Sequence, residues 1–246
     1  MSALQWQLAT VTALRPETPR VKTFVLHLPY WTPHRAGQHY TVRLTAPDGY
    51  QAQRSYSVAS PPEQTSQIEL TVELIEEGEV SGYLFEGVTV GDQLEVRGPI
   101  GGYFVWEATP LAGPLLLVAG GSGVVPLMAM LRHRHRSGIH NATVLLYSVR
   151  TPDDVIFYEE LARMAAADAT FTLLLTYTRH SPANWSGYQR RIDAAMLAEA
   201  VKLAGSSPQC FICGPTSLVE TAASSLQAQG IPPVSIRTER FGPSGT

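Results

Sequence analysis

Pro114-Leu-Leu-Leu-Val-Ala-Gly-Gly-Ser-Gly-Val-Val-Pro126 decides the fold. Residues 115–119 are an unbroken apolar run of strand length, with no polar residue alternating in it. Such a run reads as a strand buried on both faces. Gly120, Gly121, Ser122 and Gly123 make a tight turn, and an apolar, helix-compatible segment follows over 124–131. At a strand–turn–helix of this kind, backbone N–H groups and the positive end of the helix dipole favour a phosphate. The spacing Gly121-x-Gly123 suits a dinucleotide pyrophosphate, although Pro126 stands where the usual fingerprint has its third glycine. An ordinary buried strand-to-helix connection would use the same residues.

Toward the C-terminus the same alternation repeats. Strands are expected at 115–119, 142–149, 171–176, 210–213 and 234–237, and helices at 124–136, 153–167, 193–203 and 216–229. Alternating elements imply a parallel sheet covered by helices on both faces, with ligands beyond the carboxyl ends of its strands. Gly121, Ser122 and Gly123, Ser148 to Arg150, Thr178 with Arg179, and Cys213-Gly214-Pro215 all fall at such ends. Folds that bind NAD often place an acid on the ribose, whereas an arginine accommodates the extra phosphate of NADP. The second strand ends at Arg150 and the third at Arg179, with no acid, and Arg191 follows in Arg190-Arg191-Ile192. The alternative is that these arginines are solvated or pair with Asp153 and Asp154.

Toward the N-terminus the pattern changes. Short strands at 5–13, 21–28, 39–44, 55–58, 68–74 and 94–96 are separated by turns rich in proline and glycine, among them 15–19, 46–49 and 98–102. These argue for a closed antiparallel barrel or sandwich. One helix is expected between Gly78 and Gly87, with Ser81 as its cap. Arg54 and Tyr56 share one face of their strand, and Ser55 and Ser57 share the other. Arginine can hold a phosphate, tyrosine a flat ring, and a hydroxyl a heteroatom. A polar edge strand would read the same way. The proline- and glycine-rich stretch 107–114 marks a linker, so two domains are expected, 1–108 and 109–246.

Composition narrows the choices. A net charge of -3 and 16% charged residues argue against an extended nucleic-acid surface or a disordered chain. The most apolar stretch is interrupted by glycines and Pro126, so no membrane span is expected. With no basic-then-apolar pattern at the start, the expected location is the cytoplasm. The only cysteines are Cys210 and Cys213, whereas an ordinary two-iron cluster needs four thiolates. Gln-Cys-Phe-Ile-Cys reads as a short buried strand, with a redox pair as the alternative. The run Arg132-His133-Arg134-His135-Arg136 suits a helix C-terminus, with a docking patch for an acidic partner as the alternative.

Five motifs occur in order: Arg54-Ser-Tyr-Ser57, Gly78-x-x-Ser81, Gly98-Pro-x-Gly101, the turn at 120–123, and Cys213-Gly-Pro215. As an ordered set spanning nearly the whole chain, they resemble the ferredoxin–NADP⁺ reductase superfamily. The resemblance implies an antiparallel barrel that binds FAD, followed by a doubly wound α/β domain that binds NADP, or NAD in some relatives. It implies that Arg54 contacts the flavin phosphate, that Tyr56 lies against the isoalloxazine, and that Ser57 hydrogen-bonds near N5. Val72, Leu74, Gly78, Val80 and Ser81 would hold the ribityl and pyrophosphate portion. Cys213 would sit near the nicotinamide C4, and the ending Glu239-Arg-Phe241 looks like a flavin-adjacent terminus. The implied reaction is hydride transfer from NADPH to FAD where the two rings meet, with Ser57, Cys213 and Glu239 as the groups around them. Electrons then pass singly to a separate acceptor, ferredoxin or another iron–sulfur protein. Rival readings are an NADH-dependent reductase component serving an oxygenase, and a non-catalytic flavin-binding regulatory subunit. No metal ligands are expected.

Overall fold

The structure is a computed structural model that describes residues 4–241. The described chain divides into two compact units, one of residues up to 107 together with 128–136 and one of residues 108–127 together with those from 137 onward.

The first unit is built on β1 (Gln7–Thr18), β2 (Val21–His27), β3 (His39–Thr45), β4 (Gln51–Ser57), β5 (Gln67–Glu73) and β6 (Gln93–Ile100), with helix α1 (Glu79–Glu86). The strands pair antiparallel in the order β4-β3-β6-β1-β2-β5. A bridge between Val58 and Leu70 brings the β4 end of the sheet to β5, which gives the expected barrel. Its core contains Phe24, Leu26, Tyr40, Val42, Ile68, Leu70 and Val96, with Val80 and Leu84 of α1 among them.

Several boundaries differ from expectation. Pro16 was expected in a turn, yet β1 runs through it to Thr18. There β1 has only β2 beside it, because its pairing with β6 stops at Thr10, so the missing N–H of Pro16 breaks no ladder. Gly98 and Pro99 were likewise expected in a turn but lie within β6, at an irregularity in its pairing with β3. Gly98 is required there: a Cβ on it would fall 2.6 Å from the Tyr40 ring. Ser81 is not the cap of α1. Gly78 is, and no side chain caps the first turn; the Ser81 hydroxyl instead donates to the Gly78 carbonyl and accepts from the Ile75 N–H.

The second unit holds a fully parallel sheet of β7 (Leu115–Gly120), β8 (Thr143–Val149), β9 (Phe171–Tyr177), β10 (Gln209–Gly214) and β11 (Ile236–Arg240), in the order β11-β10-β7-β8-β9. This is the doubly wound order, and the strand order reverses between β7 and β10 while all strands stay parallel. Leu115 to Ala119 are each 0% exposed, as a strand covered on both faces requires. Helices α2 (Val124–Arg136), α3 (Tyr158–Ala167), α4 (Ala194–Ala204) and α5 (Thr216–Ala228) follow their strands.

The bounds of α2 are those expected, and Pro126 lies in its first turn, where a missing N–H costs little. Two expectations fail. The helix foreseen over 153–167 is broken: Thr151 and Asp154 close a single turn as a reciprocal cap, Phe157 takes a left-handed φ of 61°, and α3 begins at Tyr158. Val155, Ile156 and Phe157 are all buried, so core packing overrides the local helical pattern. The last strand was expected from Val234, but residues 233–235 form a short turn, Val234 is exposed, and β11 starts at Ile236.

Candidate cofactor sites

In the first unit, β4 carries Arg54, Tyr56 and Ser57. Arg54 is exposed, bonds only the Gln53 carbonyl, and makes no ion pair among the described residues. Tyr56 packs partly against the barrel core, and burial pushes its hydroxyl up to about 12, so it stays neutral. Ser57 is buried, and its hydroxyl finds no hydrogen-bond partner. A buried orphan hydroxyl is uncommon in a folded protein and points to a group that completes it. The main chain around it is fixed: the Val58 N–H donates to the Gln38 carbonyl, and the Gln38 side-chain amide donates to the Gly101 carbonyl at 2.6 Å.

Gly78 opens α1 without a side-chain cap, leaving first-turn N–H groups to an outside acceptor. A Cβ there would meet the Ser81 oxygen at 2.4 Å, so glycine and serine at 78 and 81 are one local arrangement. The side chains of Val72 and Val80 belong to the core, so only their backbone can face a ligand. Leu74 lies just past β5, with its N–H on the Arg20 carbonyl. An unpaired arginine, an uncapped helix start and an orphan hydroxyl fit a flavin with its phosphates.

In the second unit the glycine turn and β10 meet backbone to backbone. A Cβ on Gly123 would lie 2.1 Å from the Cys213 carbonyl oxygen, and one on Gly214 (φ +154°) 3.0 Å from the Gly120 nitrogen. Gly121 has a φ of +54° and open space around it. Gly121, Ser122 and Gly123 form a single 3₁₀ turn that runs straight into α2. Pro215 opens α5 beside the same strand ends.

Ser148 is buried at the end of β8. Thr178 ties β9 to β8, its N–H and hydroxyl both donating to the Val149 carbonyl. Arg150 and Arg179 are exposed and form no ion pair among the described residues; Asp154, which could have paired with Arg150, is held by Thr151. A parallel bridge from Thr176 to Tyr188 brings residues 188–191 alongside the end of β9. Arg190 pairs with Asp193 at 2.7 Å and lies over the Tyr188 ring, whereas Arg191 is exposed and unpaired among the described residues. The neighbouring arginines thus divide the work, one structural and one open.

Cys210 and Cys213 are both buried and free, as a buried strand predicts. Cys213 stands opposite Glu239 in the pairing of β10 with β11. Burial, with Glu239 beside it, pushes the Cys213 thiol well above its usual range. Burial also pushes the Glu239 carboxyl up to about 7, and its Oε2 has no partner. Phe241 donates its N–H to the Gly214 carbonyl, holding the end of the described chain at the same place. A close-packed glycine turn, three open arginines and an orphan carboxyl oxygen fit a nicotinamide dinucleotide. Among the described residues, no group of three or more His, Cys, Asp or Glu could hold a metal, and no helix is long and apolar enough to cross a membrane.

The run at the end of α2 lies at a helix C-terminus as expected and also makes contacts of its own. Arg132 bonds Glu69 at 2.8 Å and the Ala59 carbonyl, His133 contacts Glu63, and Arg134 is 3% exposed. The run closes the last turn of α2, as expected of cations at a helix C-terminus, and packing holds its first three residues as well. What the sequence did not reveal is which residues face Ser57, since strand register has no local signal; His39 of β3 is its direct partner.

The family model for the oxidoreductase FAD-binding domain matches residues 9–105, and that for the oxidoreductase NAD-binding domain matches residues 117–224. The chain is 32% identical over 211 residues to ferredoxin–NADP reductase B of Sorangium cellulosum, covering 84% of each. It is 30% identical over 211 residues to the glycine betaine monooxygenase reductase subunit of Pseudomonas aeruginosa, covering 85% of this chain and 57% of that protein. A ferredoxin NADP⁺ reductase from Neisseria gonorrhoeae, solved with bound FAD and NADP, superposes with a TM-score of 0.79 at 23% identity over 96% of this chain and 98% of the other. The FAD/NAD-binding domain of a Vibrio cholerae nitric oxide dioxygenase gives 0.84 at 23% identity, over 96% and 99%. This chain spans between 52% and 69% of the length of the oxygenase reductase components it matches.

Proposed function

Because this chain belongs to the ferredoxin–NADP⁺ reductase superfamily of flavoprotein oxidoreductases, we propose that it carries reducing equivalents from NADPH by way of FAD to a separate acceptor protein. Bound FAD supplies the chemistry, accepting a hydride and releasing single electrons. The protein supplies binding and orientation. Arg54 and the uncapped start of α1 neutralise the flavin phosphates, with Gly78 and Ser81 shaping that start and the backbone of Val72, Leu74 and Val80 beside it. Tyr56 offers its neutral ring to the isoalloxazine, and the Ser57 hydroxyl hydrogen-bonds the ring's heteroatom edge.

On the nicotinamide side, Gly121, Ser122 and Gly123, with Gly214 and Pro215, receive the pyrophosphate. Arg150, Arg179 and Arg191, with Ser148 and Thr178, receive the ribose and its phosphate. Cys213 remains a neutral thiol, and Glu239 is protonated below about pH 7, so neither sets a full negative charge beside the ring in that range. Phe241 closes this end. The domain division assigned to the two cofactors is 1–108 and 109–246.

The observation that carries this reading is the buried, partnerless Ser57 hydroxyl on the strand that bears an unpaired Arg54. The test is the absorbance spectrum of the purified protein, then anaerobic titration with NADPH and NADH. Flavin absorbance bleached by NADPH at the lower concentration is expected. A colourless protein that stays colourless after incubation with FAD overturns the reading.

The acceptor we favour is ferredoxin or another iron–sulfur protein, since two cysteines cannot ligate an ordinary cluster in this chain. A second reading, an NADH-dependent component of an oxygenase, is favoured by the names of relatives such as the phenol 2-monooxygenase reductase component of a Pseudomonas strain. A clear preference for NADH in the same titration would select it. A cytoplasmic location accompanies either reading and agrees with the two free thiols.

A further inference from the structure

His39 stands directly opposite Ser57 in the pairing of β3 with β4, and across a strand pair such neighbours project on the same face, with Cβ atoms roughly 5 Å apart. The Ser57 hydroxyl is buried without a partner. The His39 imidazole is partly buried and makes no hydrogen bond among the described residues. Burial holds it below the usual histidine range, so it is neutral and carries one donor and one acceptor nitrogen. The surroundings leave it space. On the other flank β6 gives way to Gly101 and Gly102, both exposed, and a Cβ on Gly101 would lie 3.6 Å from the imidazole Nδ1. Gln38, next to His39, is anchored to the Gly101 carbonyl, so the ring is mounted on a fixed backbone.

Two polar groups without partners, side by side on one strand pair and bordered by residues lacking side chains, share one unmet need. We propose that His39 is a flavin-positioning residue that, together with Ser57, presents a hydrogen-bonding pair to the isoalloxazine. The inference rests on the flavin reading above. A hydroxyl can turn to donate or accept, and a neutral imidazole offers both roles, so the pair can satisfy the ring's edge whether or not that edge carries a proton.

The test uses the full chain stripped of flavin and titrated with FAD, followed by fluorescence quenching, with the bound-flavin spectrum and midpoint potential measured on the reloaded protein. His39→Phe should weaken FAD about tenfold, as loss of one hydrogen bond of about 1.4 kcal/mol would, and shift the flavin bands. His39→Gln, which keeps a donor and an acceptor, should recover most of the affinity and the spectrum. Combining His39→Phe with Ser57→Ala should lose less than the sum of the single losses. A His39→Phe protein with wild-type circular dichroism, affinity, spectrum and potential would overturn the assignment. If the unaltered chain takes up no FAD at all, the flavin reading fails instead, and the two failures are separate.

Discussion

The two units keep their first helix starts open by different means. At the start of α1 the tightest neighbour is a side chain: a Cβ on Gly78 would meet the Ser81 hydroxyl at 2.4 Å, ahead of the Ile75 Cβ and carbonyl oxygen at 2.9 Å. At the start of α2 the space is kept by main chain alone, since Gly123 lies against the Cys213 carbonyl. A hydroxyl can rotate away, whereas a carbonyl held in a central parallel strand cannot. The start of α1 is therefore the more forgiving of the two. The orphan polar groups differ as well. In the first unit they are the Ser57 and Tyr40 hydroxyls and the His34 Nδ1; in the second it is the Glu239 carboxyl oxygen.

The sharpest way to break this contrast is Gly123→Ala. Overpacking against fixed backbone should destabilise the protein by about 3 kcal/mol and abolish nicotinamide binding, read from urea unfolding and coenzyme titration. Wild-type values for both would show that the β10 backbone yields after all.

Glu239 comes next. Its folded pKa of about 7 exceeds the ordinary 4.5, so its contribution is full below pH 4.5 and fades as pH rises through 7. Allowing for its partial exposure, stability should fall by about 2 kcal/mol between pH 5 and pH 8 relative to Glu239→Gln. Ser57→Ala, by comparison, should leave the pH slope unchanged. Parallel pH curves for the wild type and Glu239→Gln would remove the asymmetry.

Gly78→Ala should cost about 1–2 kcal/mol, less than its counterpart, with FAD affinity reduced and nicotinamide affinity intact. Arg179→Ala should weaken NADPH about tenfold, roughly 1.4 kcal/mol, and NADH little; equal losses would count against a phosphate contact. The smallest effect belongs to Gly121→Ala. Its left-handed φ costs about 1 kcal/mol, but no neighbour obstructs a methyl group, so thermal unfolding should shift by only a few degrees.

The sequence read more faithfully in the parallel unit than in the barrel. Continuous apolar runs such as 115–119 stand out against the helices between them, and α2 was foreseen residue for residue. The barrel's strands outran their apolar centres: β4 begins at the polar Gln51, and β1 passes through Pro16, because pairing with a neighbour extends a strand where local composition says stop. Propensity misled most where burial overruled it, at residues 155–157. Of the sites, the Arg54 to Ser57 strand and the glycine turns were legible as motifs. The division between Arg190 and Arg191, and the partner facing Ser57, depend on contacts distant in sequence and left no local trace.

One arrangement has a kinetic consequence. Arg150, Arg179 and Arg191 sit at the C-terminal side of one sheet with no carboxylate of the described chain neutralising them, in a protein whose overall charge is negative. An approaching polyanion therefore meets a local attraction that the net charge conceals, extending roughly one screening length, about 10 Å at 0.1 M salt. Added salt should then slow the arrival of the phosphorylated coenzyme far more than it hastens departure, and NADH, with fewer charges, should feel the difference least.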